Sequence, residues 1–392
     1  LGNVEMGVQR GVLVLGAIAL GVLGGVTNAR PVVQRDLVNW RVSRRIARRL
    51  VGQQTRWEPD AALKTRYQSI VARSFDAVAG YTGVSIPTDR DEVRILDRIG
   101  WIDMNLVSFQ RVLGPVVNVY GRHPARSGLL GHFVTRGSRI GLTGQIGIGL
   151  GYLGRRVLGQ YDVPFFNEAG VPAAICFVEP NIARVAAQAG VDVDDVRLWV
   201  ALHETTHVLQ FHVGAPPWLA EHMAGLLSAY LGEAVRLVED SEDGRARFRE
   251  LWRRLNRREI SRHGIVRLLL TEGQLEHLQH VQALMTVMEG YSNHVMRGVG
   301  AELVPGFNLI ETQMRSRTAS RGPVFRLLSA MLGLEMKMEQ YRVGEKFVQY
   351  VADRQGLRYM NRVWDGPETL PTLAETYDPD AWIARTAEHP KE

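Results

Sequence analysis

The string His203-Glu204-Thr205-Thr206-His207 has a specific chemical use when it lies on a helix. Residues four apart sit one turn apart on the same face, so the two imidazoles converge on one point, as a tetrahedral Zn2+ requires. Glu204 then stands beside the ion without ligating it. From there it can act as general base, taking a proton from zinc-activated water as that water attacks a peptide carbonyl. The expected activity is zinc-dependent hydrolysis of the metallopeptidase type, with Zn2+ as cofactor and a peptide or protein as substrate.

A third protein ligand is needed, and two glutamates compete for the role. Glu221, in Trp218-Leu219-Ala220-Glu221-His222, lies close downstream, at a spacing from His207 that is short for the purpose. Glu289 lies in the helical stretch Glu272 to Met296, with Asn293 one turn further along the same face. A ligating histidine needs an acceptor for its other ring nitrogen, and Asn293 is well placed to supply it. The residue one turn beyond Glu221 is Gly225, which offers no side chain. Glu289 is therefore preferred, with Glu221, His277, His280 and His294 left as alternatives. A donor for the developing oxyanion is sought among Tyr291, His294, His212 and His222. Tyr291 and His294 point away from the Glu289 face on a regular helix.

These residues need elements to hold them. Asp192 is a credible N-cap for a helix from Val193 to Phe211, stopped by Gly214 and Pro216-Pro217. Residues 38–51 and 59–79 carry helical apolar spacing, and Ile86-Pro87-Thr88 suits the start of a helix running to about residue 111. The run 173–179, AAICFVE, reads as one short buried strand, offering an edge on which extended substrate could align. The Gly-rich stretch 141–154 suits a tightly packed helix or a hairpin. The fold class expected is mainly α with a small β element beside the HExxH helix. Residues 37–392 form one such domain, divisible into lobes at 37–214 and 215–392.

Composition narrows the alternatives. Hydrophobic residues make up 45% of the 392 and charged residues 22%, the balance of an ordinary globular protein. Cys176 is the sole cysteine, which excludes an intramolecular disulfide and a cysteine-based zinc site. The net charge of +6 is spread along the chain, and no nucleic-acid-binding signature accompanies it. The arginine-rich stretch 245–262 reads as a solvated amphipathic helix face. Segment 1–36 is Gly-rich and apolar, with an uncharged run at 11–27 followed by arginines. It reads as a buried helix or hairpin, or alternatively as a membrane anchor that leaves the rest of the chain on the cytoplasmic side. A cytoplasmic location is expected on these grounds, with membrane association through residues 11–27 as the alternative.

Several strings resemble a known family: Val157-Leu158-Gly159-Gln160-Tyr161-Asp162, the Glu179-Pro180-Asn181-Ile182 step, Leu198-Trp199 ahead of the metal motif, Met288-Glu289-Gly290, QYRVGEKF at 340–347, and Val363-Trp364-Asp365-Gly366-Pro367 onward to Trp382. They are similar to the zincin-like family once catalogued as a domain of unknown function, whose members have been called coenzyme F420 biosynthesis-associated proteins or zinc-dependent metalloproteases. The resemblance covers roughly residues 38–385. It implies a mainly helical zincin-like fold with His203, His207 and Glu289 as ligands and Glu204 as base. Where the family pattern reads Glu-Gly-His-Gly-Asp, this chain has Glu289-Gly290-Tyr291-Ser292-Asn293, so a carboxylate beside the metal becomes an amide, which still accepts a hydrogen bond but adds no charge. No residue of an F420 site is recognisable. A second reading, a catalytically silent zinc-containing scaffold or interaction protein, is opposed by the intact Glu204, which a purely structural site does not need.

Overall fold

The structure, a computed structural model, describes residues 38–52, 57–85, 91–122, 129–163, 172–213, 218–239, 272–319 and 337–387. The run 11–27, the stretch 245–262 and the expected helix start at 86–88 lie outside these residues. Within them the chain is mainly helical, with one three-stranded sheet. No described helix is long and apolar enough to cross a membrane.

Helix α1 (Trp40–Val51) starts at Asn39, whose side chain accepts from the Val42 amide. Helix α2 (Ala61–Thr82) is capped in the same way by Asp60 and ends at Gly83, whose φ of 69° suits glycine. The helix expected to run to about residue 111 is divided. Its first part is strand β1 (Glu92–Leu96), and only Arg98–Arg122 forms helix α3. In Glu92-Val93-Arg94-Ile95 polar and apolar residues alternate, and the partner strand lies some 80 residues on in the chain, a pairing that local periodicity does not reveal. The Gly-rich stretch at 141–154 is the end of a helix, α4 (Leu129–Gly154).

Strand β2 (Gly159–Asp162) and strand β3 (Ala174–Val178) complete the sheet in the order β1-β3-β2. β3 pairs parallel with β1 and antiparallel with β2, so its wholly apolar residues are buried on both faces. This corrects the edge role expected of 173–179: β3 is central, and the edges are β1 and β2. Helix α5 (Glu179–Ala189) follows β3 directly.

Helix α6 (Val193–His212), capped by Asp192, carries the metal motif. Residues Leu198 to Phe211 are buried without interruption, so this helix is enclosed all round. Helix α2 flanks it, with Ser74 Oγ 2.7 Å from Thr205 Oγ1. β2 and helix α8 (Glu272–Leu303) close other sides, while helix α7 (Leu219–Glu239) lies between α6 and α8 in the chain. Beyond them come α9 (Phe307–Ala319), α10 (Lys337–Gln355), the short α11 (Leu357–Met360) and α12 (Pro379–Ala387). Trp199 and Leu202 of α6 share one apolar cluster with Met288 and Tyr291 of α8, Phe347 of α10 and Trp382 of α12, so residues on both sides of position 214 build the same core. A second cluster, with Trp101, Ile102 and Leu150, lies under α1, α3 and α4.

Two helix crossings depend on glycine. In the first, α1 meets α4 at Gly147 and Gly151, where an added Cβ would come within 2.8 Å of Ser43 O and 2.9 Å of Ala47 O respectively. In the second, α8 meets α10 at Gly290 and Gly344, and a Cβ on either would strike the backbone of the opposite helix. Gly290 directly follows Glu289, so this contact sets the depth at which that carboxylate is held. Gly344→Ala is therefore expected to destabilise the fold by about 1 to 3 kcal/mol through overpacking, and to lower metal affinity because α8 shifts. Denaturant midpoints and a metal titration on the same variant check both effects.

Candidate metal centre

The structure brings His203, His207 and Glu289 together, with each offering one donor atom and all donors within 4.8 Å of one another. The two Nε2 atoms are 3.0 Å apart. Glu289 Oε2 lies 3.5 Å from His203 Nε2, and Oε1 lies 4.0 Å from His207 Nε2. Donors at zinc bond lengths on a tetrahedron are about 3.3 Å apart, so one small displacement of Glu289 completes the set. All three residues are at most 2% exposed. Burial pushes His203 down to about 3. Burial and then the neighbouring His203 push His207 down to about 4. Both imidazoles are thus neutral, the form that ligates metal, and their approach to Glu289 is not an ion pair.

The tautomer of His207 follows from its surroundings. Gln210 donates its Nε2 to Met288 O at 2.8 Å and to Ser292 Oγ at 3.3 Å, which turns its Oε1 toward His207 Nδ1, 2.8 Å away. An amide oxygen accepts, so His207 carries its proton on Nδ1 and presents a bare Nε2 to the centre. The residues therefore fit a divalent cation.

Glu204 is 1% exposed, and among the described residues no side chain hydrogen-bonds to either of its carboxylate oxygens. Burial, and then the Glu289 charge, hold its pKa well above the usual carboxylate range, against a smaller opposing effect from the Tyr161 backbone. Its position depends on β2: a Cβ on Gly159 would come within 2.7 Å of Glu204 Oε1. Gln160 accepts from Trp101 Nε1 at 2.9 Å, fixing β2 to α3. Tyr161, next in that strand, donates its hydroxyl to Asp91 Oδ1 at 3.2 Å and lies 3.1 Å from His212 Nε2. His212 in turn lies 3.3 Å from Asp91 Oδ2. Burial, and then the Asp91 charge, raise the Tyr161 phenol above its ordinary pKa.

The other candidates read from the sequence lie elsewhere. Asn293 is buried one turn beyond Glu289, yet His207 Nδ1 donates to Gln210 Oε1 at 2.8 Å, with Ser292 Oγ 3.4 Å away, so Gln210 is the acceptor for His207. Tyr291 donates to Asn361 Oδ1 at 2.6 Å and packs edge-on to Trp364. His294 lies between Tyr81 Oη and Gln349 Oε1. Both serve the α8 to α10 side of the core and not the metal centre. Glu221 and His280 are exposed on their helices, and His277 is half-buried; none joins the donor group. His222 stands edge-on to Trp218. Gln210 was open to sequence reasoning, being one turn beyond His207. Gly159, Tyr161 and Asp91 were not, because their roles come from contacts distant in the chain.

An HExxH helix buried against an antiparallel edge strand, with a glutamate donated by a later helix, is a zincin-like arrangement. The chain belongs to the zincin-like metallopeptidase family, which it matches over residues 38–383. It is also similar to a crystal structure from Chloroflexus aurantiacus, described as that of a presumed hydrolase with a novel fold, at 32% identity and a TM-score of 0.65, covering 90% of this chain and 100% of that one. No curated protein sequence matches it.

Two predictions follow from this geometry. Gln210→Ala frees the His207 ring and is expected to weaken metal binding roughly 10- to 100-fold, as read by titration against a competing chelator. The second concerns Glu204 in metal-free protein. Its folded pKa lies above the unfolded value near 4.5, so the stability tied to its bound proton is full below that value and is lost as pH rises toward the folded pKa. Glu204→Gln removes this loss. The variant's stability advantage over wild type, measured by denaturation in excess chelator, is therefore expected to grow as pH rises from about 5 to 9.

Proposed function

We propose that this protein is a zinc-dependent peptidase in which His203, His207 and Glu289 hold the metal and Glu204 is the general base. The observation that carries the reading is the Glu204 carboxylate, buried beside the donor set with no side chain among the described residues hydrogen-bonded to it. Zinc bound there would polarise the scissile carbonyl and lower the pKa of the attacking water. Every other function falls to the chain. Glu204 accepts the proton of that water and delivers it to the leaving amine. A cation held by the donor set would oppose the burial that raises the Glu204 pKa and so would favour its basic form. Gln210 keeps His207 in the ligating tautomer. Tyr161 and His212, joined to each other and to Asp91, hold β2 in place beside Glu204. Edge strand β2, against which Glu204 packs, takes the substrate-aligning role expected of 173–179, with an extended peptide adding to its free side.

The depth of the centre favours a second reading, in which the metal ties α6 to α8 and the protein acts as a scaffold. One set of variants separates the two. Under the peptidase reading, Glu204→Gln retains about one zinc per chain and loses peptide-library cleavage by at least about 100-fold, while His207→Ala loses both. Under the scaffold reading wild type binds zinc and cleaves nothing, and His207→Ala alone changes the protein, by loosening the fold. Zinc content, cleavage and thermal midpoints on the three proteins decide between them.

A further inference from the structure

A cleft of about 560 Å3 opens where the C-terminal ends of α1 and α4 meet α5 and α9. Among the described residues its lining holds Arg155, Arg156 and Arg184 and no acidic side chain. Arg155 and Arg156 are held there by neutral partners. Arg155 donates to Leu50 O at 3.4 Å, Arg184 to Arg155 O and Asn181 Oδ1, and Arg156 lies 3.7 Å above the Tyr152 ring. Among the described residues no carboxylate pairs with Arg155 or Arg156. Elsewhere this fold does pair its arginines: Arg44 and Arg48 share Asp103, Arg197 bridges Glu179 and Asp194, Arg297 reaches Glu311 and Glu345, and Arg385 holds Glu375. In the cleft like charges accumulate instead. Burial, followed by repulsion from Arg155, lowers the pKa of Arg98, and burial leads the same effect on Arg156.

Concentrated positive charge inside a concave surface is the condition for anion capture, and planar guanidinium groups suit the oxygens of a phosphoryl group. The cleft is larger than inorganic phosphate alone, and one wall is apolar, with Leu50 and Ile148 40% and 39% exposed. We propose that this cleft is a second site, separate from the metal centre, that binds a phosphate-bearing ligand with its phosphoryl group on Arg155 and Arg156 and its apolar part against Leu50 and Ile148. The same chemistry is offered by a soluble phosphate ester and by a phospholipid headgroup.

Gln188, also in the lining, gives a variant that leaves the framework alone. It accepts from Gln313 Nε2 at 3.3 Å, and Gln188→Glu keeps that acceptor while adding negative charge beside the arginines. The test uses the full chain, with inorganic phosphate followed by calorimetry, and with phosphatidylcholine vesicles with or without phosphatidylglycerol followed by cosedimentation. Saturable binding to wild type, weakened tenfold or more in both Gln188→Glu and Arg156→Gln at unchanged thermal midpoint, is the expected result. Variant-sensitive binding to the phosphatidylglycerol vesicles identifies a lipid headgroup; variant-sensitive phosphate binding without vesicle binding identifies a soluble ester. Binding to neither probe, or binding that both variants leave unchanged, overturns the proposal.

Discussion

The structure is organised around the cost of burying polar groups in one helix. From Leu198 to Phe211 α6 is enclosed on every side, yet that stretch carries two imidazoles, a carboxylate, two threonines and a glutamine. A buried polar group without a partner costs more than a hydrogen bond contributes, so each neighbouring element is shaped by what α6 needs. α2 brings Ser74 to Thr205, α6 itself satisfies Thr206 through Leu202 O, and α8 offers the Met288 carbonyl to Gln210. Glu204 has no such side-chain partner among the described residues, and it faces a second carboxylate at Glu289. Two acids beside two neutral imidazoles in a water-poor interior are stabilised together only by a proton or a cation, and the geometry of the donors suits a cation.

The strings shared with the family gain separate physical meanings in this light. In Gly159-Gln160-Tyr161 the glycine leaves room for Glu204, the glutamine ties the strand to Trp101, and the tyrosine joins Asp91 and His212. In Glu179-Pro180-Asn181 the carboxylate receives Tyr67 and Arg197, and the amide donates to Gly154 O and Val157 O, closing the junction between α4 and the sheet. Met288-Glu289-Gly290 and QYRVGEKF are the two sides of one crossing. Each string would look unrelated to the next if read along the chain, but all of them converge on α6.

What could be read from the sequence was local. The helix with the two histidines announces itself through its cap and its four-residue spacing, and the structure brings the Glu289 carboxylate, and not that of Glu221, to their side. The acceptor behind His207 was also within reach, since Gln210 lies one turn past His207; Asn293 was favoured because it sits one turn past Glu289, and position on a helix does not say which neighbour a side chain meets. Non-local pairing hid the rest. β1 alternates too briefly to be distinguished from a helix start until β3 is placed beside it, and the short polar β2 has no signal of its own. The edge was assigned to β3 because an apolar run marks a strand without marking its place in the sheet.

The α8 to α10 crossing also bears on synthesis. Both histidines leave the ribosome long before Glu289, and Glu289 leaves well before Gly344, the residue against which its helix is seated. A nascent chain can therefore form α6 and carry its imidazoles while the third donor has no fixed position. Completion of the donor set waits on synthesis past Gly344, and a product truncated before that residue would keep the HExxH string intact and still lack the contact that fixes Glu289 against it.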